Sequence, residues 1–222
     1  MSNILHYIFP KRCAVCGCVI SHNTFLCDCC ENQIEYIKVK CCKRCGLPKK
    51  KCECKRYAYH FRGIASPFLN KDAAKDGIYG FKFSKNRDAA EFFAQNIVKQ
   101  IKERFVNVSF DCVTSVPMHK QRRKETGYDH AEILARAVAL EMRLPYKRLL
   151  VKTVQNKTQH TLKAAERFSN VKNVYKAKGK MPSCVLLVDD IKTTGATLDE
   201  CSRRLMLAGC DDVYCATAVI GT

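Results

Sequence analysis

The 222-residue sequence contains no apolar run of about 18 or more residues, so no membrane-spanning helix and no membrane insertion are expected. Residues 1–10 are mildly apolar but lack a charged start and a small-residue cleavage site, which argues against a secretory signal. The expected location is a reducing cytoplasm. Acidic residues are scarce: 21 Asp and Glu stand against 39 Lys and Arg, for a formal charge of +18. Such a surplus favours polyanions, either nucleic acid or phosphorylated small molecules. The chain is not poor in apolar residues. At 47% hydrophobic it can bury a core, which excludes a disordered tail.

Cysteine is abundant and unevenly spread. Eleven of the 16 lie between Cys13 and Cys54, and the other five sit among apolar neighbours as small core residues. In a cytosolic chain, clustered cysteines bind metal more often than they form disulfides. Cys13 and Cys16, Cys27 and Cys30, and Cys42 and Cys45 have two-residue spacers, while Cys52 and Cys54 are one residue tighter. A short spacer brings two thiolates to one tetrahedral ion, so four pairs provide two structural zinc sites. Consecutive pairing joins Cys13, Cys16, Cys27 and Cys30, then Cys42, Cys45, Cys52 and Cys54. Cross-bracing of the first pair with the third is the alternative, and Cys29 or Cys41 can replace a neighbour. Each four-thiolate site contributes about −2 with its metal, leaving the chain near +14. Four thiolates leave no position for water, so the sites stabilise a segment too short to build its own core.

The composition changes near Tyr57, which divides the chain into a zinc module, 1–57, and a larger domain, 58–222. The larger part reads as α/β. Helices are expected over 88–105, with Phe93, Ile97, Ile101 and Phe105 in step, over 128–142, and over 197–208. Strands are expected over 111–116, 148–151, 185–188 and 213–219. Thr197 and Glu200 fit a capping box at the start of the last helix. Strands alternating with helices imply a mostly parallel sheet flanked by helices, whose ligands bind at the carboxyl ends of the strands.

One such end carries Val188-Asp189-Asp190-Ile191-Lys192-Thr193-Thr194-Gly195-Ala196-Thr197. An apolar strand runs into two acids, then a hydroxyl-rich turn, then a helix. The helix start offers free N–H groups and a positive dipole end to a phosphate. Thr193, Thr194 and Thr197 add hydroxyls, and Gly195 permits close approach or positive φ. The two carboxylates suit sugar hydroxyls or a hydrated magnesium ion. The segment resembles the phosphoribosyl-diphosphate (PRPP) motif of type I phosphoribosyltransferases. That resemblance assigns Asp189 and Asp190 to the ribose hydroxyls, and Lys192, Thr193, Thr194, Gly195, Ala196 and Thr197 to the 5′-phosphate. In such enzymes a second loop after an earlier strand holds pyrophosphate. The matching stretch here is Pro117-Met118-His119-Lys120-Gln121-Arg122-Arg123-Lys124, with Lys120 and Arg123 among its cations.

Residues 143–180 hold eleven basic residues and one acid, with Tyr146, Phe168 and Tyr175 interleaved. Basic residues with aromatics suit single-stranded DNA. Equally, 155–167 can form a flap over PRPP, with the aromatics in the core.

Zinc pairs, basic loop and PRPP motif, in this order, resemble the ComF (competence protein F) family over nearly the whole chain. Asn156-Lys157-Thr158-Gln159-His160-Thr161-Leu162, Arg167 and Asn170-Val171 match as well. The family usually reads Arg-Gly-Phe-Asn-Gln where this chain has Thr126-Gly127-Tyr128-Asp129-His130. The resemblance implies a type I phosphoribosyltransferase-like domain behind a zinc ribbon. It also implies a bacterial cytoplasmic protein of DNA uptake, with competence-machinery proteins as partners. Two functions follow. One is a nucleic-acid-handling factor that binds PRPP or a nucleotide phosphate. The other is an active phosphoribosyltransferase, using PRPP with magnesium and an acceptor. Met1-Ser2 offers no N-terminal cysteine nucleophile, which disfavours an amidophosphoribosyltransferase.

Overall fold

The computed structural model describes residues 10–37, 41–52, 54–55, 57–83, 87–154 and 171–221. Within them, α1 (Asp28–Gln33) and a short 3₁₀ turn (Lys49–Lys51) belong to the cysteine-rich module. Then come β1 (Ile64–Ala65), β2 (Phe68–Leu69), α2 (Asp72–Phe83), α3 (Arg87–Arg104) and β3 (Cys112–Ser115). They are followed by α4 (Lys120–Thr126), α5 (His130–Met142), β4 (Leu150–Lys152) and β5 (Tyr175–Ala177). The series ends with β6 (Cys184–Lys192), α6 (Ala196–Leu207) and β7 (Asp212–Ile220).

The main sheet is parallel throughout. β7 lies between β6 on one side and β1 and β2 on the other, and β3 pairs with the far side of β6. A parallel sheet needs apolar residues on both faces, and β6 and β7 supply them in alternation. Leu186, Val188, Ala216 and Ala218 join the core under α2, α3 and α5. Val185, Leu187, Val213 and Cys215 join the core under α6 and the β4–β5 hairpin. The expected α/β class, parallel sheet and flanking helices are all present.

Three expectations change. The strand foreseen at 148–151 is not part of the main sheet: β4 pairs antiparallel with β5, forming a separate hairpin. The basic stretch after β3 is not a loop. Lys120–Thr126 is helical, with the His119 ring accepting from the Gln121 N–H and Gly127 ending it at φ 78°. The capping box also fails. α6 begins after Gly195, at φ 82° with no side-chain cap. Glu200 turns instead to Arg203, Arg204 and the Asn173 N–H. Two arginines and a backbone donor offer a buried carboxylate more than one cap donor would.

The β4–β5 pair is fixed at both of its ends. Glu132 on α5 accepts from Arg148, just before β4, at 2.5 Å, and also from Arg123 and Arg136. Glu200 on α6 accepts from the Asn173 N–H, just before β5, at 2.9 Å. Burial alone would raise both carboxyls, but their arginines hold them below the usual range.

Candidate functional site

The acid pair sits at the carboxyl end of β6, paired alongside Thr217 to Ile220 of β7. On the other side, the Val116 N–H donates to Val188 O at 3.0 Å. Pro117 therefore leaves β3 at the level where Asp189 leaves the apolar part of β6. This register brings the two sequence-predicted segments to adjacent strand ends.

Within the pair, the Asp190 N–H donates to Asp189 Oδ1 at 2.9 Å. Burial and the neighbouring Asp190 push the Asp189 carboxyl well above the usual carboxylate range, with Lys82 opposing. Asp190 forms an ion pair with Lys82 of α2, Nζ to Oδ2 2.9 Å. Thr193 is exposed, Thr194 and Thr197 are half-buried, and Gly195 and Ala196 are buried. With Asp189 they line a small pocket at the start of α6. A side chain at Gly195 would meet Tyr59 at 3.0 Å and Lys192 at 3.1 Å, so glycine answers both the positive φ and the close approach. Lys192 is buried beneath the loop, its ammonium 3.3 Å from Thr193 O. Tyr59 fixes the loop from below, donating its hydroxyl to Thr194 O at 2.9 Å.

The pyrophosphate-side residues divide. Pro117, Met118 and His119 are half-buried beside the acids, and Lys120 is exposed. The Met118 N–H donates to Asp129 Oδ2, while Asp129 Oδ1 caps α5 through the Glu132 N–H. Arg123 faces away to Glu132 at 3.1 Å. Arg122 and Lys124 are exposed cations on the same helix. From the hairpin, burial and the positive Arg122 push the Lys152 amine below its usual range.

In the 143–180 region, Tyr175 is buried, and the Tyr146 hydroxyl is 2.9 Å from Ser115 Oγ while Arg136 stacks on its ring. Neither ring is free for base stacking. Lys172, Lys176, Lys178 and Lys180 are exposed. Phe168 and the flap foreseen at 155–167, with the motif at 156–162, lie outside the described residues.

The cysteines assemble as two groups of four, Cys13 with Cys16, Cys27 and Cys30, and Cys42 with Cys45, Cys52 and Cys54. This is the consecutive pairing. Sulfur separations are 3.7 Å for Cys16–Cys27, 3.6 Å for Cys42–Cys54 and 3.7 Å for Cys45–Cys52. A tetrahedron with zinc–sulfur bonds of about 2.3 Å has edges of about 3.8 Å, so both groups fit zinc. The crowding shows in their acidity. The Cys30 N–H pulls Cys27 down to about 6. Against burial, the N–H groups of Cys45 and Arg44 pull Cys42 down to about 7. Burial and neighbouring sulfurs push Cys30 and Cys54 up. A divalent cation removes that conflict by favouring all four thiolates.

Sequence reasoning missed Lys82, Tyr59 and Asp129 at this site. Lys82 and Tyr59 arrive from before β3, and only the folded sheet brings them to the loop. Asp129 had a local signal, as an acid three residues before Glu132 at a helix start.

Fold and cysteine geometry define an α/β protein with a parallel sheet behind two tetrathiolate zinc sites. Residues 4–60 match the double zinc ribbon domain. The chain is 32% identical to Competence protein F of Haemophilus influenzae over 108 residues, spanning 46% of this chain and about half (47%) of that one. It is 25% identical to Competence protein ComFC of Bacillus subtilis over 196 residues, covering 83% and 79% of the two chains. It is 22% identical to DNA utilization protein YhgH of Salmonella typhimurium over 211 residues, covering 90% and 92%. These similarities to competence and DNA utilization proteins support the resemblance to the ComF family. Among the described residues no helix is long and apolar enough to cross a membrane.

Proposed function

We propose that this is a cytoplasmic ComF-type protein of DNA uptake that binds PRPP or a nucleotide phosphate at residues 189–197. The observation that carries this is the junction of β6 and α6. Two adjacent carboxylates lie near the end of a strand, and a turn with Gly195 at φ 82° opens directly onto a helix start. Sugar hydroxyls fit the acids, and a phosphate fits the N–H groups of the helix start with Lys192 beneath. Magnesium would travel with the diphosphate of PRPP. The names of the similar competence and DNA utilization proteins support the cellular role. The test is thermal stability with PRPP and magnesium, since a ligand of the native state raises apparent stability. PRPP should raise Tm, and Asp189→Ala with Asp190→Ala should abolish the shift while the fold persists. An undiminished shift in the double variant refutes the site.

The four exposed lysines 172, 176, 178 and 180 support single-stranded DNA as a second ligand, held through its phosphates. Affinity should fall steeply with salt. Charge reversal at Lys172, Lys176 and Lys178 should weaken binding and flatten the salt dependence, leaving PRPP nearly unaffected. Absence of binding at low salt would assign the basic region to the small ligand.

A second reading is favoured by the Val116–Val188 hydrogen bond, which sets the basic segment beside the acids. That juxtaposition suits transfer of ribose 5-phosphate from PRPP to an acceptor. Asp189 and Asp190 would hold the ribose while its C1 gains oxocarbenium character, and Lys120 and Arg122 would stabilise the departing pyrophosphate. Pyrophosphate release on addition of candidate bases separates the two readings.

A further inference from the structure

We propose that Lys82 is the resident cation of the acid pair, a positioning residue that lets the 189–190 carboxylates hold a sugar without a divalent metal. The inference deepens the phosphate-sugar reading above and rests on it.

Two adjacent carboxylates at a strand end would ordinarily attract magnesium. Here the place beside Asp190 is taken. Lys82 Nζ lies 2.9 Å from Asp190 Oδ2, with the two side chains 23% and 14% exposed, so solvent screens the pair only partly. Asp189 is desolvated beside Asp190, and its carboxyl is pushed well above the usual range. One negative charge is thus matched by an ammonium, and the other is held toward its neutral form. Little net charge remains to recruit a hard dication. A carboxylate has several lone pairs, so Asp190 can accept from a sugar hydroxyl while bonded to Lys82.

The lysine is held in place from an independent direction. Tyr128 donates its hydroxyl to Lys82 O at 2.7 Å, fixing the last turn of α2. His130 packs edge-on against both Tyr128 and Phe81, with ring centroids 5.1 and 6.4 Å away. It is 8% exposed, and its Nδ1 has no hydrogen-bond partner. Burial lowers its pKa. A neutral imidazole there adds no competing charge, so the cation near Asp190 is the lysine. The segment joining α4 to α5 therefore sets the position of Lys82, which sets the charge state of the acid pair.

Calorimetric titration with ribose 5-phosphate, which has no diphosphate to carry magnesium, tests this. In the wild type, affinity should be the same within about twofold in millimolar magnesium and in excess EDTA. Lys82→Met leaves two adjacent carboxylates without their cation, so its affinity in EDTA should fall on the order of tenfold and recover in part with magnesium. Lys82→Arg should keep the magnesium independence. Wild-type binding that requires magnesium would overturn the proposal, as would a Lys82→Met variant with wild-type affinity in EDTA. Should Lys82→Met fail to fold, the wild type and Lys82→Arg still decide. Failure of ribose 5-phosphate and PRPP to bind the wild type under every condition would instead sink the underlying sugar-phosphate reading.

Discussion

The two zinc turns share one local design and have different surroundings. In the first, the Cys13 N–H donates to Cys18 O at 2.8 Å and the Gly17 N–H to Cys13 O at 3.0 Å. In the second, the Cys42 N–H donates to Leu47 O at 2.8 Å and the Gly46 N–H to Cys42 O at 2.9 Å. Gly17 and Gly46 both take positive φ, 75° and 80°. Yet a side chain at Gly17 would meet nothing within 4 Å, whereas one at Gly46 would lie 2.8 Å from Ile64 and 3.0 Å from Ile220. The first ribbon packs on helices, with Val15 close against Gly77 of α2. The second is set into the sheet: the Ile64 N–H donates to Lys43 O, and half-buried Arg104 donates to Cys42 O at 2.6 Å. A repeated motif therefore fixes the metal turn, while the non-repeated surroundings decide what depends on it.

Loss of the metal should separate the two most. Cys45→Ser and Cys16→Ser should each remove about one of two zinc ions per chain. Zinc binding in such sites contributes roughly 10–16 kcal/mol of folding free energy. Cys45 is fully buried in the core below β7, so its variant should lose cooperative unfolding of the sheet. Cys16 is exposed, and its variant should keep that transition at lower Tm. Metal analysis with circular dichroism melts measures both, and equal damage breaks the comparison.

Smaller but sharper is the glycine pair. Gly17→Ala bears only the left-handed backbone, about 1–2 kcal/mol, whereas Gly46→Ala adds overpacking for a total of about 2–5 kcal/mol. Urea titrations of both proteins give the difference directly. A Gly46→Ala cost no larger than that of Gly17→Ala would mean the seat on Ile64 and Ile220 yields freely.

Smaller than the Gly46→Ala cost is the effect expected at Arg104. Replacing it by Met removes the donor to Cys42 O and should cost about 1–3 kcal/mol, with zinc content unchanged. Loss of the second zinc in that variant would show that the arginine, not the seat, holds the turn.

The long periodic elements were legible in the sequence. The helix expected over 88–105 is Arg87–Arg104, and the strand expected over 213–219 is Asp212–Ile220. The strand expected over 185–188 runs on to Lys192, because β7 pairs with it through the acid pair. α2 was not foreseen: Gly77 and Gly80 weaken its helical signal, and at Gly77 the reason is packing, since a side chain there would meet Val15 at 3.0 Å. β1 and β2 are two residues each, too short for periodicity to register. The zinc ligands and the loop at 189–197 could be read because their residues are neighbours in sequence. Lys82 could not, since its partner at Asp190 is brought near only by folding.

β7 also sets the order in which the molecule can be built. It is the strand that joins β1 and β2 to β6, and its partners Ile64 and Ala65 are among the earliest residues of the sheet. Pairings so distant in sequence close slowly, because the intervening chain must be confined before they form. During synthesis the zinc turns and the α2–α3 helices can take shape early. The seat of Gly46 on Ile220 is completed only once β7 has emerged. Until then, the edge of β6 that β7 will cover stays unpaired, an open strand edge of the kind that favours aggregation.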